Sequence, residues 1–385
     1  MRIGMLGGTF NPIHNAHVQM ALCARDTLAL DRLLLMVTAD PPHKTVEGQV
    51  GSDARLTMAR LAAEGIERVE ASDRELKRAG KSYTADTLTE LSKDYPGASL
   101  YLIVGSDMLL DMPRWYAPRR IASLATIAYV PRIGQEAGDR KAAHVLERDF
   151  GARTVALEKA PDALSSTQIR ERLQKGLPVD GMLPERVLWY CYEKGLYFPE
   201  PLPGMIARLK GTLSEKRFHH SIGTMIQAAR LAENWGADPA KTRLAALLHD
   251  CAKNLDAGAM TAFSDDGSGI LAVQHAFAGA ALAKSEYGVE DEGILAAIRH
   301  HCTGEARMSL MDKIVYLADI TEPTRDFPGV EEIRASLARG PDEAMLFALT
   351  RSAAILRKMQ DAGDIHPATQ RAIDYFTNIK KEEQD

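Results

Sequence analysis

Two histidines three residues apart follow a glycine pair near the start of the chain, in the string Gly7-Gly8-Thr9-Phe10-Asn11-Pro12-Ile13-His14-Asn15-Ala16-His17. On a helical turn His14 and His17 share one face, so both imidazoles can reach the same oxyanion. Glycines let backbone N–H groups approach an anion closely. A helix start adds unsatisfied donors and the positive end of its dipole. The chemistry indicated is phosphate binding. A second anion-suited string is Ser165-Ser166-Thr167-Gln168-Ile169-Arg170, with hydroxyls at a helix start and a guanidinium one turn later. Hydroxyl caps are common by themselves, but two such starts in one domain could hold one triphosphate.

Beyond residue 204 the ionisable residues follow a different pattern. Seven of the eleven histidines lie there, and His219-His220, His249-Asp250 and His300-His301 are adjacent pairs, while His275, Asp319 and His366 stand apart. Neighbours on a helix point about 100° apart, so no pair chelates by itself. Yet His249-Asp250 ends the apolar run Leu244 to Leu248, and Asp319 ends another, Ile314 to Ala318. Burying an unpaired carboxylate is costly, and a bound cation is one partner that removes the cost.

The elements that must position these groups divide into two kinds. Up to about Phe198, β-rich runs (Ile3 to Leu6, Leu33 to Val37, Leu100 to Val104, Thr126 to Val130, Thr154 to Leu157) alternate with amphipathic stretches. That is the pattern of βαβ units and a parallel sheet, whose ligands bind at the carboxyl ends of the strands. Gly7-Gly8, Pro41-Pro42-His43-Lys44 and Gly105-Ser106-Asp107 all fall at such ends. The stretch Pro199 to Gly204 continues neither helix nor central strand and reads as a linker. After it only helical periodicity remains. The expected organisation is an α/β domain over 1–198, a linker over 199–204 and an all-α domain over 205–385.

The composition, 45% hydrophobic and 26% charged over 385 residues, is that of a chain able to bury proper cores. A formal net charge of −5, with no Lys/Arg cluster interleaved with aromatics, predicts no nucleic-acid partner. The N-terminus has no signal-peptide pattern and no apolar run reaches membrane-spanning length, which predicts a cytoplasmic protein without a membrane partner. Composition leaves the oligomeric state open, an oligomer included. Cys23, Cys191, Cys251 and Cys302 show no CxxC spacing, so they are expected to be free thiols. Cys251 and Cys302, each following a candidate metal ligand, are read as incidental neighbours.

The first half resembles the nucleotidyltransferase superfamily, and within it bacterial nicotinate-nucleotide adenylyltransferase. The matching pieces are Gly7 to His14, Pro42-His43-Lys44, Ser82 to Thr87, Gly105-Ser106-Asp107 with Trp115, and Ser165 to Arg170. Two departures stand out. Ala16 replaces the family's glycine between the histidines, and Pro131-Arg132-Ile133-Gly134 replaces its arginine-proline-glycine order, so no role is carried to Arg132. The resemblance implies a Rossmann-like fold with helices on both faces of the sheet. It also implies that ATP and nicotinate mononucleotide react to give deamido-NAD and pyrophosphate, with Mg2+ carried on the ATP phosphates. His14, His17, Lys44 and Arg170 are the implied catalytic groups. Gly7, Gly8, Thr9, Phe10, Ser166, Thr167 and Asp107 would line the ATP site, and Asn11, Lys44, Thr84 and Trp115 the nicotinate mononucleotide site. A nucleotidyltransferase acting on phosphopantetheine or nicotinamide mononucleotide is the rival, disfavoured by the Ser82 to Thr87 segment.

The second half resembles the HD phosphohydrolase superfamily, more closely its bacterial branch that cleaves diadenosine tetraphosphate (Ap4A) into two ADP. The resemblance rests on Arg217 with His220, His249-Asp250 with Lys253, His275-Ala276, His301 with Thr303-Gly304, and Asp319 with Glu322-Pro323 and Arg325. It implies two divalent metals: His220, His249, Asp250 and Asp319 hold one, while His275 and His301 hold the other with Asp250 bridging. Iron is the implied metal, and mixed imidazole and carboxylate ligands also suit manganese or zinc. Lys253, Thr303 and Arg325 are the implied polyphosphate ligands, with Lys253 catalytic. His219, His300 and His366 are left out of the set, His366 being read as a cap of the final helix. The rivals are a nucleotide-binding regulatory module and a phosphohydrolase of another nucleotide.

Overall fold

A computed structural model describes residues 1–39, 50–78, 80–131, 134–158, 164–263, 270–358 and 365–382. The chain divides into two compact units, Met1–Glu171 with Val179–Tyr190, and Arg172–Pro178 with Cys191–Asp385.

Six strands make one parallel sheet in the first unit: β1 (Arg2–Gly8), β2 (Arg32–Val37), β3 (Val69–Ser72), β4 (Ser99–Gly105), β5 (Ala125–Val130) and β6 (Arg153–Ala156). Their order is β3-β2-β1-β4-β5-β6. The chain therefore builds outward from β1 on one side and from β4 on the other. The crevice beyond the carboxyl ends of β1 and β4 is the switch point at which such sheets bind ligands. Strand β3 escapes the sequence reading, because Val69-Glu70-Ala71-Ser72 contains one β-branched residue and pairs only with β2.

The helices of this half are α1 (Asn15–Thr27), α2 (Ser52–Ala63), α3 (Thr84–Asp94), α4 (Ser106–Asp111), α5 (Pro118–Leu124), α6 (Glu136–Phe150), α7 (Ser166–Lys175) and α8 (Glu185–Glu193). Alternation along the strands sends Ile3, Met5, Leu34, Met36, Leu102, Val104 and Ile127 to one face, where α3 to α6 contribute Leu88, Leu109, Ile121 and Leu146. The opposite face, with Leu33, Leu35, Val37 and Ile103 also buried, is covered by α1 and α2. Both faces are apolar, as a parallel sheet covered on two sides requires.

The other half is helical throughout its described residues: α9 (Leu202–Thr212), α10 (Glu215–Trp235), α11 (Pro239–Leu248), α12 (Ala257–Phe263), α13 (Leu271–Tyr287), α14 (Glu292–His300), α15 (Leu310–Thr321), α16 (Val330–Ser336), α17 (Pro341–Lys358) and α18 (Pro367–Glu382). Helix α10 packs on α11 and α15, and α14 packs on α11, α13 and α15. Ile222, Met225, Leu247, Leu248, Ile298, Ile314 and Leu317 form the buried interior. The stretch composition marks as a linker is partly structured, since Leu202, Pro203 and Gly204 form the first turn of α9. Proline is tolerated there because the first-turn N–H groups have no helical acceptor.

Candidate functional site

The turn after β1 is shaped by side-chain size. A Cβ on Gly8 would lie 2.8 Å from the Phe10 ring, whereas one on Gly7 would meet nothing within 4 Å. Gly8 thus makes room for the buried Phe10, itself in the left-handed region at φ 49°. Phe10 in turn meets the His17 ring edge-on, with centroids 5.2 Å apart. His14 caps α1, and its backbone N–H donates to Nδ1 of His17 at 3.2 Å. That bond leaves the neutral His17 ring with its proton on Nε2. The two imidazoles stack at 3.7 Å between centroids. Burial lowers the His14 pKa to about 4, and burial plus the neighbouring His14 holds His17 well below the usual histidine value. Without an anion to charge them, both are neutral N–H donors near pH 7.

The second phosphate-suited string is tied to this turn. Ser166 Oγ donates to the Pro12 carbonyl at 2.8 Å, and Arg170 Nη1 to the Asn11 carbonyl at 2.9 Å. Arg170 Nη2 lies 3.3 Å from Thr167 Oγ1, and Ser165 caps the helix by accepting from Gln168 N–H at 3.1 Å. Two segments about 150 residues apart in sequence therefore meet at the carboxyl end of β1. Arg55 of α2 braces the same region from within. It is 1% exposed and donates to the carbonyls of Thr9 at 2.8 Å, Thr38 at 2.7 Å and Ala39 at 3.0 Å. It thus links the turns after β1 and β2. The sequence reading passes over Arg55. A signal was available, because Arg55, Met58, Ala59 and Ala62 share the buried helix face.

In the helical half, five helices bring the ionisable groups together. His220 lies on α10, His249 caps the end of α11, His275 lies on α13, His301 caps the end of α14, and Asp319 lies on α15. His249 and His301 are held alike: Nδ1–H donates at 2.7 Å to the carbonyl three residues earlier, Ala246 and Ile298. That leaves each Nε2 directed away from its own helix end and available as a ligand atom. His220 Nε2 lies 2.9 Å from Asp319 Oδ1 and 3.2 Å from His249 Nε2. His275 Nε2 and His301 Nε2 are 3.3 Å apart, and they lie 3.2 and 3.5 Å from Asp250 Oδ1. The other oxygen of Asp250, Oδ2, lies 3.7 Å from His249 Nε2. One carboxylate thus faces both groups of imidazoles. Four imidazole nitrogens and two carboxylates gathered this closely fit a pair of divalent cations.

Charge in this cluster is strongly coupled. Burial opposes protonation of His220, but its bonds to Asp319 and Glu322 outweigh that and raise its pKa to about 9. Glu322, buried behind it, accepts from His220 Nδ1 at 3.1 Å and is itself held by Thr324. Burial lowers His249 to about 4. Burial would raise the Asp250 and Asp319 pKa values, yet the surrounding histidines, with Arg325 beside Asp319, hold both carboxyls well below the usual range.

Residues 5–172 match the family model described as cytidylyltransferase-like, and residues 217–324 match the HD domain model. A probable nicotinate-nucleotide adenylyltransferase of Gloeobacter violaceus is 39% identical over 197 residues, covering 51% of this chain and 96% of that protein. The chain belongs to that family. A second such protein, from Listeria welshimeri, is 37% identical over 196 residues, covering 51% of this chain and 97% of that protein. The adenylyltransferase-family half is followed by the HD domain. A solved structure from Clostridium acetobutylicum, described as a predicted HD superfamily hydrolase involved in NAD metabolism, is 34% identical and covers 45% of this chain and 95% of that one, with a TM-score of 0.42.

In the adenylyltransferase-family half, Gly7, Gly8, Thr9, Phe10, Asn11, His14, His17, Ser166, Thr167 and Arg170 come together at the carboxyl end of β1, as the geometry above describes. Asp107 is exposed in the first turn of α4, directly after β4, the strand beside β1. Thr84 opens α3, and Trp115 is partly buried against the apolar core. Lys44 and Arg132 lie outside the described residues. No described helix is long and apolar enough to cross a membrane.

In the HD half all six expected metal ligands converge; of the expected phosphate ligands, Thr303 turns to its own backbone and Arg325 is held by Asp319 at the cluster. Thr303 is 1% exposed, and its hydroxyl donates to the Gly304 carbonyl at 2.9 Å, so it serves the backbone and not a polyphosphate. The Arg325 guanidinium is bound to Asp319, through the carboxylate and, at 2.8 Å, the carbonyl. Lys253 Nζ sits 2.7 Å from His275 Nε2, at the ligand cluster itself. His219 pairs with Glu193, and His300 faces Asp312. His366 accepts from Ala368 N–H at 3.1 Å, the cap of α18. Cys302 departs from its expected place: Sγ lies 3.1 Å from His275 Nε2 and 3.2 Å from His301 Nε2. Burial would raise its pKa, but His301 and His275 lower it to about 6. None of the four cysteines is in a disulfide.

Proposed function

We propose that the first half transfers AMP from ATP to nicotinate mononucleotide, forming deamido-NAD and pyrophosphate in NAD biosynthesis. The observation that carries this reading is the joining of the His14/His17 turn to the Ser165 to Arg170 helix start through Ser166 and Arg170. A phosphate oxygen of nicotinate mononucleotide attacks the α-phosphorus of ATP in line, and the bond to pyrophosphate breaks with its electron pair. No protein nucleophile is needed. His14 and His17 donate N–H bonds to the charge that develops on the phosphoryl oxygens, and Lys44 and Arg170 neutralise it. Mg2+ on the ATP phosphates adds charge neutralisation when bound. Asp107 holds the adenosine side, and Asn11, Thr84 and Trp115 hold the nicotinate nucleotide. Purified protein given ATP with either nicotinate or nicotinamide mononucleotide tests this. Deamido-NAD and pyrophosphate should form from the nicotinate substrate faster than NAD and pyrophosphate form from the nicotinamide one, and a preference for the nicotinamide substrate overturns the assignment.

For the second half we infer a metal-dependent phosphohydrolase that cleaves Ap4A symmetrically to two ADP. Asp250, whose two oxygens face separate imidazole groups, is the observation that supports a two-metal centre. His220, His249 and Asp319 with Asp250 would hold one ion, His275 and His301 with Asp250 the other, with iron the first choice and manganese or zinc fitting the same donors. The bound pair would supply a water of lowered pKa and Lewis acidity toward a phosphoryl oxygen. Glu322 orients His220, and Lys253 is placed to meet polyphosphate charge at the cluster edge. Protein loaded with Fe2+ or Mn2+ should turn Ap4A into two ADP. ATP plus AMP would overturn the symmetrical cleavage, and no turnover with metal bound would favour a regulatory module.

A further inference from the structure

We propose that Cys302 is a metal ligand, its thiolate completing the set formed by His275, His301 and Asp250. The inference rests on the two-metal reading of this half and goes beyond its imidazole and carboxylate ligands. The three donor atoms His275 Nε2, His301 Nε2 and Cys302 Sγ form a nearly equilateral triangle with sides of 3.1, 3.2 and 3.3 Å. Asp250 Oδ1, 3.2 and 3.5 Å from the two nitrogens, supplies a fourth corner. Zinc–nitrogen bonds of about 2.0–2.1 Å and zinc–sulfur bonds of about 2.3 Å give tetrahedral edges of about 3.4–3.6 Å. The observed edges differ from these by a few tenths of an ångström.

Cys251 provides an internal comparison. It also follows a ligand residue directly, yet its Sγ lies 3.4 Å from the Gly279 carbonyl and is spent on the backbone. Adjacency to a ligand in sequence therefore does not by itself bring sulfur to the cluster. At Cys302 the sulfur sits beside the Nε2 atom of His301 that the His301–Ile298 bond leaves available for a cation.

A thiolate at one position and only nitrogen and oxygen at the other makes the two positions chemically unequal. Sulfur favours zinc or iron over manganese or magnesium there, whereas the His220, His249 and Asp319 position stays tolerant of harder ions.

The full-length protein, freed of metal and titrated with Co2+, tests this. Two Co2+ per chain should bind, with an intense near-ultraviolet thiolate-to-cobalt band on one of the two. Cys251→Ser should keep that band. Cys302→Ser should lose it and bind its second Co2+ at least about tenfold more weakly, while keeping the first. On the unmodified protein, Co2+ should also protect Cys302 from iodoacetamide, read by peptide mass spectrometry, so the result does not depend on the variant folding. Two Co2+ bound without the band, a band that survives in Cys302→Ser, or unchanged alkylation would overturn the ligand while leaving the metal pair standing. Failure to bind Co2+ at all would overturn both.

Discussion

The backbone N–H of His14 donates to Nδ1 of His17 at 3.2 Å, while the two rings stack at 3.7 Å between centroids. One histidine thus fixes the tautomer of the other, so that Nε2–H of His17 is the donor left for an oxyanion. Asparagine can place an amide oxygen near the Nδ1 position but has nothing at Nε2. His17→Asn should therefore keep the melting temperature close to that of the parent and lower kcat of adenylyl transfer by about 100-fold. Steady-state kinetics with ATP and nicotinate mononucleotide check this; near-normal turnover would remove His17 from the chemistry.

Burial of the same pair links stability to pH. A histidine titrates at 6.5 in the unfolded chain and at about 4 at position 14 in the folded one, so between these values the unfolded state binds more protons. The stability held above pH 6.5 is lost as pH falls toward 4. By pH 5 burial of His14 accounts for a loss of about 2 kcal/mol relative to its stability above pH 6.5. Denaturant unfolding at pH 7 and pH 5 should show a smaller loss in His14→Asn than in the parent, and equal losses would contradict the buried neutral imidazole.

Arg55 spans three carbonyls at the carboxyl ends of β1 and β2. Arg55→Met fills much of the volume but leaves those carbonyls without their charged donor. The expected cost is about 2–4 kcal/mol of unfolding free energy, with a raised KM for ATP because Thr9 loses its brace. Urea titration and initial-rate kinetics on one preparation separate the two effects.

Glu322 holds His220 from the side opposite its ligand nitrogen. Glu322→Gln retains shape and removes charge, so metal affinity at that position should fall about ten- to a hundred-fold. Competition with a chromophoric chelator measures this directly. Unchanged affinity would mean that His220 is oriented by its packing alone.

Local chemistry was legible where it depends on short spacing. The glycine pair, the i, i+3 histidines, the hydroxyl-rich start of α7 and the His-Asp pair at the end of α11 each announce themselves within a few residues, because capping and helical phase act over one turn. Strands β1, β2, β4 and β5 were equally plain, since burial on both faces demands unbroken apolar runs. Edge strand β3 and the helical turn at Leu202 were not, because weak local preference there yields to pairing and packing.

Long-range choices rest on other forces. Whether a charged residue on an apolar helix face is a brace, as Arg55 is, depends on which carbonyls another segment delivers to it. Whether Thr303 faces a polyphosphate or its own backbone, and whether Cys251 or Cys302 reaches the imidazoles, depends on the rotation of helix ends packed against three neighbours. Residue types and spacing along this chain were enough to name the groups able to bind phosphate and metal. Which of those groups actually meet was settled by packing, since the rotation of about 100° per residue at a helix end leaves Asp250 and His301 in the cluster while Cys251 turns to the Gly279 carbonyl and His300 to Asp312.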